Sequence, residues 1–221
     1  MLIDCTHNTH LLAVDYRGFG LSTGIPSESG LDADSDAVLK YATLNLGYKL
    51  NQITVLGQSL GSAVALGLGA KTPGLKGVIA ICPFYRLSDA LLDYKFAGVL
   101  PVLKPLNFSP KLQKLFSSFL NAEYDNMASA LEILKYQNKL LIIHSKNDQE
   151  MPWYHSKRLW DQLEKKIGTE KVTTSKDDGF IYYQAPKNKV GALFLTEGDH
   201  SNLLTMDKVT KEVCGFIASK I

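Results

Sequence analysis

The sequence predicts an α/β fold in which a mostly parallel sheet carries helices on both faces. Three observations predict it. Five short apolar runs, Leu11–Asp15, Ile53–Leu56, Gly77–Cys82, Leu140–His144 and Ala192–Thr196, have the two-sided hydrophobicity of buried parallel strands. Helical patterns separate the runs. A chain of 221 residues, 45% hydrophobic and 21% charged, has the length and composition of one globular domain with a sizeable core.

The elements follow in order. After the first run, Leu31 to Leu46 reads as a helix with Leu31, Ala37, Val38, Tyr41 and Leu44 as its apolar positions. Asp32, Asp34 and Asp36 stand near its start, where the helix dipole favours acids. Ser62 to Lys71 is small and apolar, as suits a helix packed on the sheet. Trp153 to Lys166 and Lys208 to Ile221 are amphipathic helices. Two segments interrupt the alternation within what is expected to be a single domain over residues 1–221. Pro83 to Lys135 is apolar and proline-punctuated, and is expected to form short helices above the carboxyl edge of the sheet. As a lid, its Phe96, Leu100, Phe108 and Phe119 would line an acyl pocket or touch a membrane surface, with Lys95, Lys104, Lys111 and Lys114 near anionic headgroups. The plainer alternative is a cap with no lipid contact. Ile167 to Val190 is polar and is expected to be a surface excursion with a hairpin around Asp178-Gly179.

Composition narrows the function classes. The net charge of +2 comes from interspersed charges, so no basic patch argues for nucleic acid. No apolar run reaches the roughly 18 residues of a transmembrane helix. Asp4, His7 and His10 break the first apolar stretch, so no signal peptide is expected at the start of this sequence. The three cysteines, Cys5, Cys82 and Cys214, show no CxxC spacing and read as reduced thiols in a non-oxidising compartment. No metal site and no cofactor are expected. The expected location is intracellular, either cytoplasmic or peripheral on an internal membrane such as the endoplasmic reticulum.

The sharpest chemical signal is Gly57-Gln58-Ser59-Leu60-Gly61, which follows an apolar run and precedes a small-residue helix. That is the setting of a nucleophile elbow, a tight strand-to-helix turn that lifts the serine oxygen above the sheet. The flanking glycines let the backbone turn without a Cβ clash. A serine hydroxyl needs a base. Of the five histidines, only His200, in the loop after the last run, comes late enough for the order serine, acid, histidine. The acid belongs on the loop after Leu140–His144. Asp148 is the choice, Glu150 the alternative, and Asp199 ranks third because it adjoins His200. Its task is to hold the imidazole tautomer and stabilise the imidazolium. The backbone N–H of Leu60 is available to an oxyanion. Tyr16-Arg17 follows the first run, where Arg17 is expected to make a structural ion pair.

These residues, in this order, resemble the α/β-hydrolase superfamily. The stretch Ala13-Val14-Asp15-Tyr16-Arg17-Gly18-Phe19-Gly20-Leu21-Ser22, with Gly24-Ile25-Pro26-Ser27-Glu28 and Gly30-Leu31, is similar to the membrane-associated lysophospholipase and monoacylglycerol lipase branch, which includes the lysophosphatidylserine lipases. The resemblance implies hydrolysis of carboxylic esters of lipids, monoacylglycerol or lysophospholipid, through an acyl-enzyme on Ser59. It also exposes a departure. In that family a strand carrying an HG-type loop supplies a second oxyanion donor, and no HG motif occurs here. The missing strand would lie between Leu11–Asp15 and Ile53–Leu56, so both are expected to lack a neighbour, and the chain is expected to be an N-terminally shortened product. Two other readings stay open: a catalytically silent interaction protein that keeps the fold, and an acyl-protein thioesterase with the same triad.

Overall fold

The computed structural model describes residues 9–95, 109, 123–136, 138–169, 172–177, 180–184 and 190–219. Six strands form one sheet: β1 (Thr54–Gln58), β2 (Gly77–Ile81), β3 (Lys139–Ser145), β4 (Thr173–Asp177), β5 (Phe180–Gln184) and β6 (Val190–Leu195). Their spatial order is β1-β2-β3-β6-β5-β4. The first four in that order run parallel, and β5 and β4 add an antiparallel pair at the far edge. The polar stretch after residue 167 thus contributes a hairpin that extends the sheet through β5 on β6.

Alternation along each central strand sends successive side chains to opposite faces. Val78, Ala80, Leu140, Ile142, Ala192 and Phe194 point to one face. There they pack with Ala65 and Leu66 of α2 (Leu60–Lys71), Ala130 and Ile133 of α4 (Asn126–Lys135), and Leu159, Trp160 and Leu163 of α5 (Tyr154–Ile167). Ile79, Ile81, Leu141, Ile143, Leu193 and Leu195 point to the other, against Val209 and Val213 of α6 (Asp207–Ala218). Both faces of β2 and β3 are therefore dry, which is why β2 and the centre of β3, Leu140 to Ile143, are apolar. A short α3 (Leu87–Asp93) follows β2.

Three expectations are corrected. Leu11–Asp15 is not a strand; Leu11 is 64% and Val14 45% exposed. No described strand pairs with it or with the outer edge of β1, and an apolar run without a hydrogen-bonded neighbour forms no strand. The first helix, α1 (Glu28–Lys40), starts earlier than its apolar pattern suggests, because Ser27 caps it through the N–H of Gly30. The aspartates consequently lie beyond the first turn and serve as ion-pair partners instead: Asp34 binds Arg17, and Asp32 and Asp36 face Lys71. Past Lys40 the helix widens into a π turn over Tyr41–Asn45, which leaves Tyr41 and Leu44 exposed and buries Ala42. Finally, Cys214 is disulfide-bonded, to a partner outside the described residues, so of the three reduced thiols expected, Cys82 is the free, buried one described.

The middle of the expected lid, residues 96–108 and 110–122, lies outside the described residues. Its end is anchored. Glu28 accepts hydrogen bonds from the N–H groups of Glu123 (2.7 Å) and Tyr124 (3.0 Å), and Asp125 caps α4 through Ala128.

Candidate active site

In a parallel sheet every strand delivers its following loop to the same edge. The loops after β1, β3 and β6 carry Ser59, Asp148 and His200 to that edge. Ser59 has φ 53° and ψ −119°, a left-handed conformation that a non-glycine residue adopts only under strain. Its N–H donates to the carbonyl of Ile81 at 2.9 Å, tying the turn to β2, and its carbonyl accepts from Ser62 at 2.9 Å. Gly57 makes the turn possible. A Cβ there would lie 1.9 Å from the carbonyl oxygen of Gly61. Tyr16 borders the same turn, its hydroxyl 3.9 Å from the point that a Cβ on Gly61 would occupy.

The acid and histidine loops are stitched together. Ser145 donates to the carbonyl of Gly198 at 2.8 Å, Lys146 N–H to that of Leu195 at 2.7 Å, and the Asn147 amide to that of Thr196. The stitching brings His200 Nδ1 to 2.7 Å from Asp148 Oδ2. The other two acids have different partners. Glu150 accepts from the Tyr94 hydroxyl at 3.1 Å, and Asp199 accepts the N–H groups of Ser201 and Asn202, both at 2.9 Å. Gln58, next to Ser59, donates its side-chain amide to the carbonyl of His200, which links the serine turn to the histidine loop. Among the described residues the Ser59 hydroxyl has no hydrogen-bond partner.

Electrostatics match the geometry. Burial alone would raise Asp148, but hydrogen bonds from His144, His200 and the Met151 N–H outweigh it and hold the carboxyl below the usual carboxylate range. Burial works in the other direction on His200, yet the hydrogen bond and charge of Asp148 raise it above an ordinary histidine. Two residues here escaped the sequence reading. His144 contacts the second side of Asp148, with Nε2 3.1 Å from Oδ2. The signal available was its position at a strand end four residues before the acid. Gln58 gave no signal beyond its place in the turn. Cys82, His144 and Asp148 offer ligand atoms within 4.8 Å of one another. Burial first, and then Asp148, push the Cys82 thiol up, which favours its protonated form. Arg17 makes its ion pair: its N–H and guanidinium grip Asp34 with contacts of 2.7–3.1 Å.

A family model described as Hydrolase_4, serine aminopeptidase S33, matches residues 5–163. Human protein ABHD12B is 29% identical over 157 residues, which is 69% of this chain and 41% of that protein. The fission yeast protein bem46 is 45% identical over 92 residues, 42% of this chain and 27% of bem46. The zebrafish lysophosphatidylserine lipase ABHD12 is 27% identical over 157 residues, 69% of this chain and 39% of that lipase. The chain thus spans about two-fifths or less of the lengths of these three relatives. Among solved structures, an alpha-beta hydrolase from Vibrio vulnificus superposes with a TM-score of 0.61 at 16% identity, covering 91% of this chain and 61% of that one. The Pyrococcus furiosus esterase PF2001 gives 0.56 at 17% identity, covering 92% and 67%. With a parallel sheet flanked by helices and a family match over most of its length, the chain belongs to the Hydrolase_4 family of α/β-hydrolases.

Proposed function

We propose that this protein is a serine hydrolase that cleaves carboxylic esters of lipids, monoacylglycerol or lysophospholipid, through an acyl-enzyme on Ser59. The observation that carries the proposal is the buried 2.7 Å contact of Asp148 with His200, on loops converging at the edge where Ser59 stands. In this reading His200 takes the proton of Ser59 as the hydroxyl attacks the ester carbonyl. Asp148 fixes the tautomer that presents Nε2 to the serine and stabilises the imidazolium that forms. The Leu60 N–H, free at the start of α2, receives the developing oxyanion. His200 then protonates the departing alcohol, and water releases the fatty acid by the reverse sequence.

Lipid esters are favoured by the relatives from zebrafish and Xenopus tropicalis, both named lysophosphatidylserine lipase. The segment 83–135 would supply the acyl pocket or a peripheral membrane contact. No helix among the described residues is long and apolar enough to cross a membrane. An intracellular site, cytoplasmic or on an internal membrane, belongs to the same proposal.

A second reading has a specific observation behind it. Among the described residues no HG loop offers the second oxyanion donor, and losing one such donor typically costs about 2.7–4 kcal/mol of transition-state stabilisation. A silent interaction protein would keep the fold at that cost, and an acyl-protein thioesterase would share the triad. Hydrolysis of a panel of 1-acylglycerols, lysophospholipids and S-acyl peptides decides among them. Release of fatty acid from the lipid esters, abolished by Ser59→Ala, supports the proposal. Turnover of thioesters alone, or of nothing by folded protein, contradicts it.

A further inference from the structure

Beside the Leu60 N–H, a tetrahedral oxyanion on Ser59 needs a second hydrogen-bond donor. A side chain at the first turn of α2 can supply it. Gly61 has no side chain. Apart from α2's own backbone and the chain neighbours, the one described heavy atom within 4 Å of the point its Cβ would take is the Tyr16 hydroxyl oxygen, at 3.9 Å. Tyr16 is held there by its backbone. Its carbonyl accepts the N–H of Phe19 at 2.9 Å, and the next residue, Arg17, grips Asp34 with its own N–H at 2.9 Å and with its guanidinium. The ring belongs to one apolar cluster with Leu60, Ala63 and Val64 of α2 and Met151 of the acid loop. Two other tyrosines share that cluster, Tyr94 and Tyr124. Tyr94 donates its hydroxyl proton to Glu150 at 3.1 Å, and Tyr124 packs edge-on against Phe84 with its ring centre 6.5 Å away. The Tyr16 hydroxyl, by contrast, makes no hydrogen bond among the described residues, and the Asp34 oxygens beside it are taken by Arg17. A phenol buried over part of its surface normally has a partner for its O–H, so a donor left over at the serine turn points to a ligand.

We infer that Tyr16 is a catalytic residue whose hydroxyl donates the second hydrogen bond to the oxyanion that forms on Ser59. The assignment rests on the hydrolase reading of Ser59, Asp148 and His200. As the Ser59 oxygen bonds to the ester carbon, the carbonyl π pair moves onto the carbonyl oxygen. That oxygen then accepts from the Leu60 N–H and from the Tyr16 O–H. When the intermediate collapses the pair returns, the bond to the departing alcohol breaks, and the phenol still carries its proton. Tyr16 therefore transfers nothing; it stabilises charge. Burial, and then the charge of Asp34, raise its phenol above the ordinary value, which keeps it a neutral donor. A rigidly held hydroxyl is an effective donor because it needs no reorganisation when the charge appears.

The test compares the full chain with Tyr16→Phe, which keeps the ring and removes only the hydroxyl. Because that hydroxyl bonds nothing among the described residues, the variant is expected to fold as wild type does, and matching urea unfolding curves check it. On p-nitrophenyl butyrate, kcat should fall by about 10²- to 10³-fold with KM unchanged, the loss that follows removal of one oxyanion donor. An alkyl trifluoromethyl ketone, to whose carbonyl Ser59 adds to give a stable oxyanion, should lose inhibitory affinity by a similar factor. Folded Tyr16→Phe with the kcat and the inhibition of wild type would overturn the inference. So would a raised KM at unchanged kcat, which would place the hydroxyl on the bound ester and not on the transition state. Wild type that neither hydrolyses the ester nor reacts with a fluorophosphonate would refute the hydrolase reading and this assignment with it, whereas active wild type equalled by Tyr16→Phe refutes the assignment alone.

Discussion

Asp148 and His200 meet at 2.7 Å across 52 residues of sequence, and the same carboxylate oxygen also receives His144 at 3.1 Å. One oxygen thus joins the ends of two neighbouring strands. Its position is over-determined by backbone N–H groups on the other carboxylate oxygen, so Asp148 has little freedom to swing away from His200.

Replacing Ser59 removes the atom that would be acylated and little else. Ser59→Ala is expected to lower kcat on a lipid ester by about 10⁴-fold or more. Its effect on unfolding free energy should stay within about 0.5 kcal/mol, because the hydroxyl makes no hydrogen bond among the described residues. Steady-state kinetics and urea denaturation of the same preparation check both halves.

Removing the charge at position 148 should affect both rate and stability. Asp148→Asn is expected to lower kcat by about 10⁴-fold by favouring the wrong histidine tautomer. At neutral pH it should destabilise by about 3 kcal/mol, because it removes the charged acceptor shared by His144, His200 and two backbone N–H groups. The pH dependence has a definite sign. The folded carboxyl lies below its unfolded value of about 3.9, so its stabilisation is complete above that value and fades as pH falls through the folded one. The stability gap between wild type and Asp148→Asn should narrow as pH drops from about 5 towards 2, and equilibrium unfolding at several pH values measures it.

His200 gives the opposite sign. Its folded pKa lies above the roughly 6.5 of a free histidine, through the hydrogen bond and charge of Asp148. Protonated His200 is no base, so kcat/KM should fall as pH decreases through that raised value. Its stabilising contribution is complete below about 6.5 and is lost as pH rises through the raised value. In Asp148→Asn the acidic limb of residual activity should move down. A limb that stays in place would separate the two residues functionally.

The turn itself tolerates little. Gly57→Ala puts a methyl group 1.9 Å from the Gly61 carbonyl oxygen, a backbone atom that cannot step aside alone. A destabilisation of about 3 kcal/mol is expected, with loss of activity in whatever protein folds. Urea unfolding midpoints at fixed slope would measure it.

The parts of this fold that depend on local chemistry are legible in the sequence. β2 and the centre of β3, Leu140 to Ile143, announce themselves because both faces are buried and these positions are apolar. The turn at Ser59 is legible because glycine is required where backbone crowds backbone, and the acid and histidine follow from strand order. Pairing is not local. Leu11–Asp15 has the composition of a strand and lacks a described strand neighbour, so it forms no strand and is exposed. The start of α1 depends on one capping hydroxyl, at Ser27, ahead of the apolar pattern. His144 left only its place at a strand end as a signal, because a buried polar residue is specified by its partners, here Asp148, Ser156 and the carbonyl of Met151.

The most direct measurement is the reaction of the folded protein with a fluorophosphonate probe, read by intact mass and peptide mapping. Chemistry at the Ser59 turn predicts one adduct per chain, on Ser59, that forms in wild type and is absent from Ser59→Ala. Folded wild type that takes up no probe, or a variant that labels as fast as wild type, would contradict it.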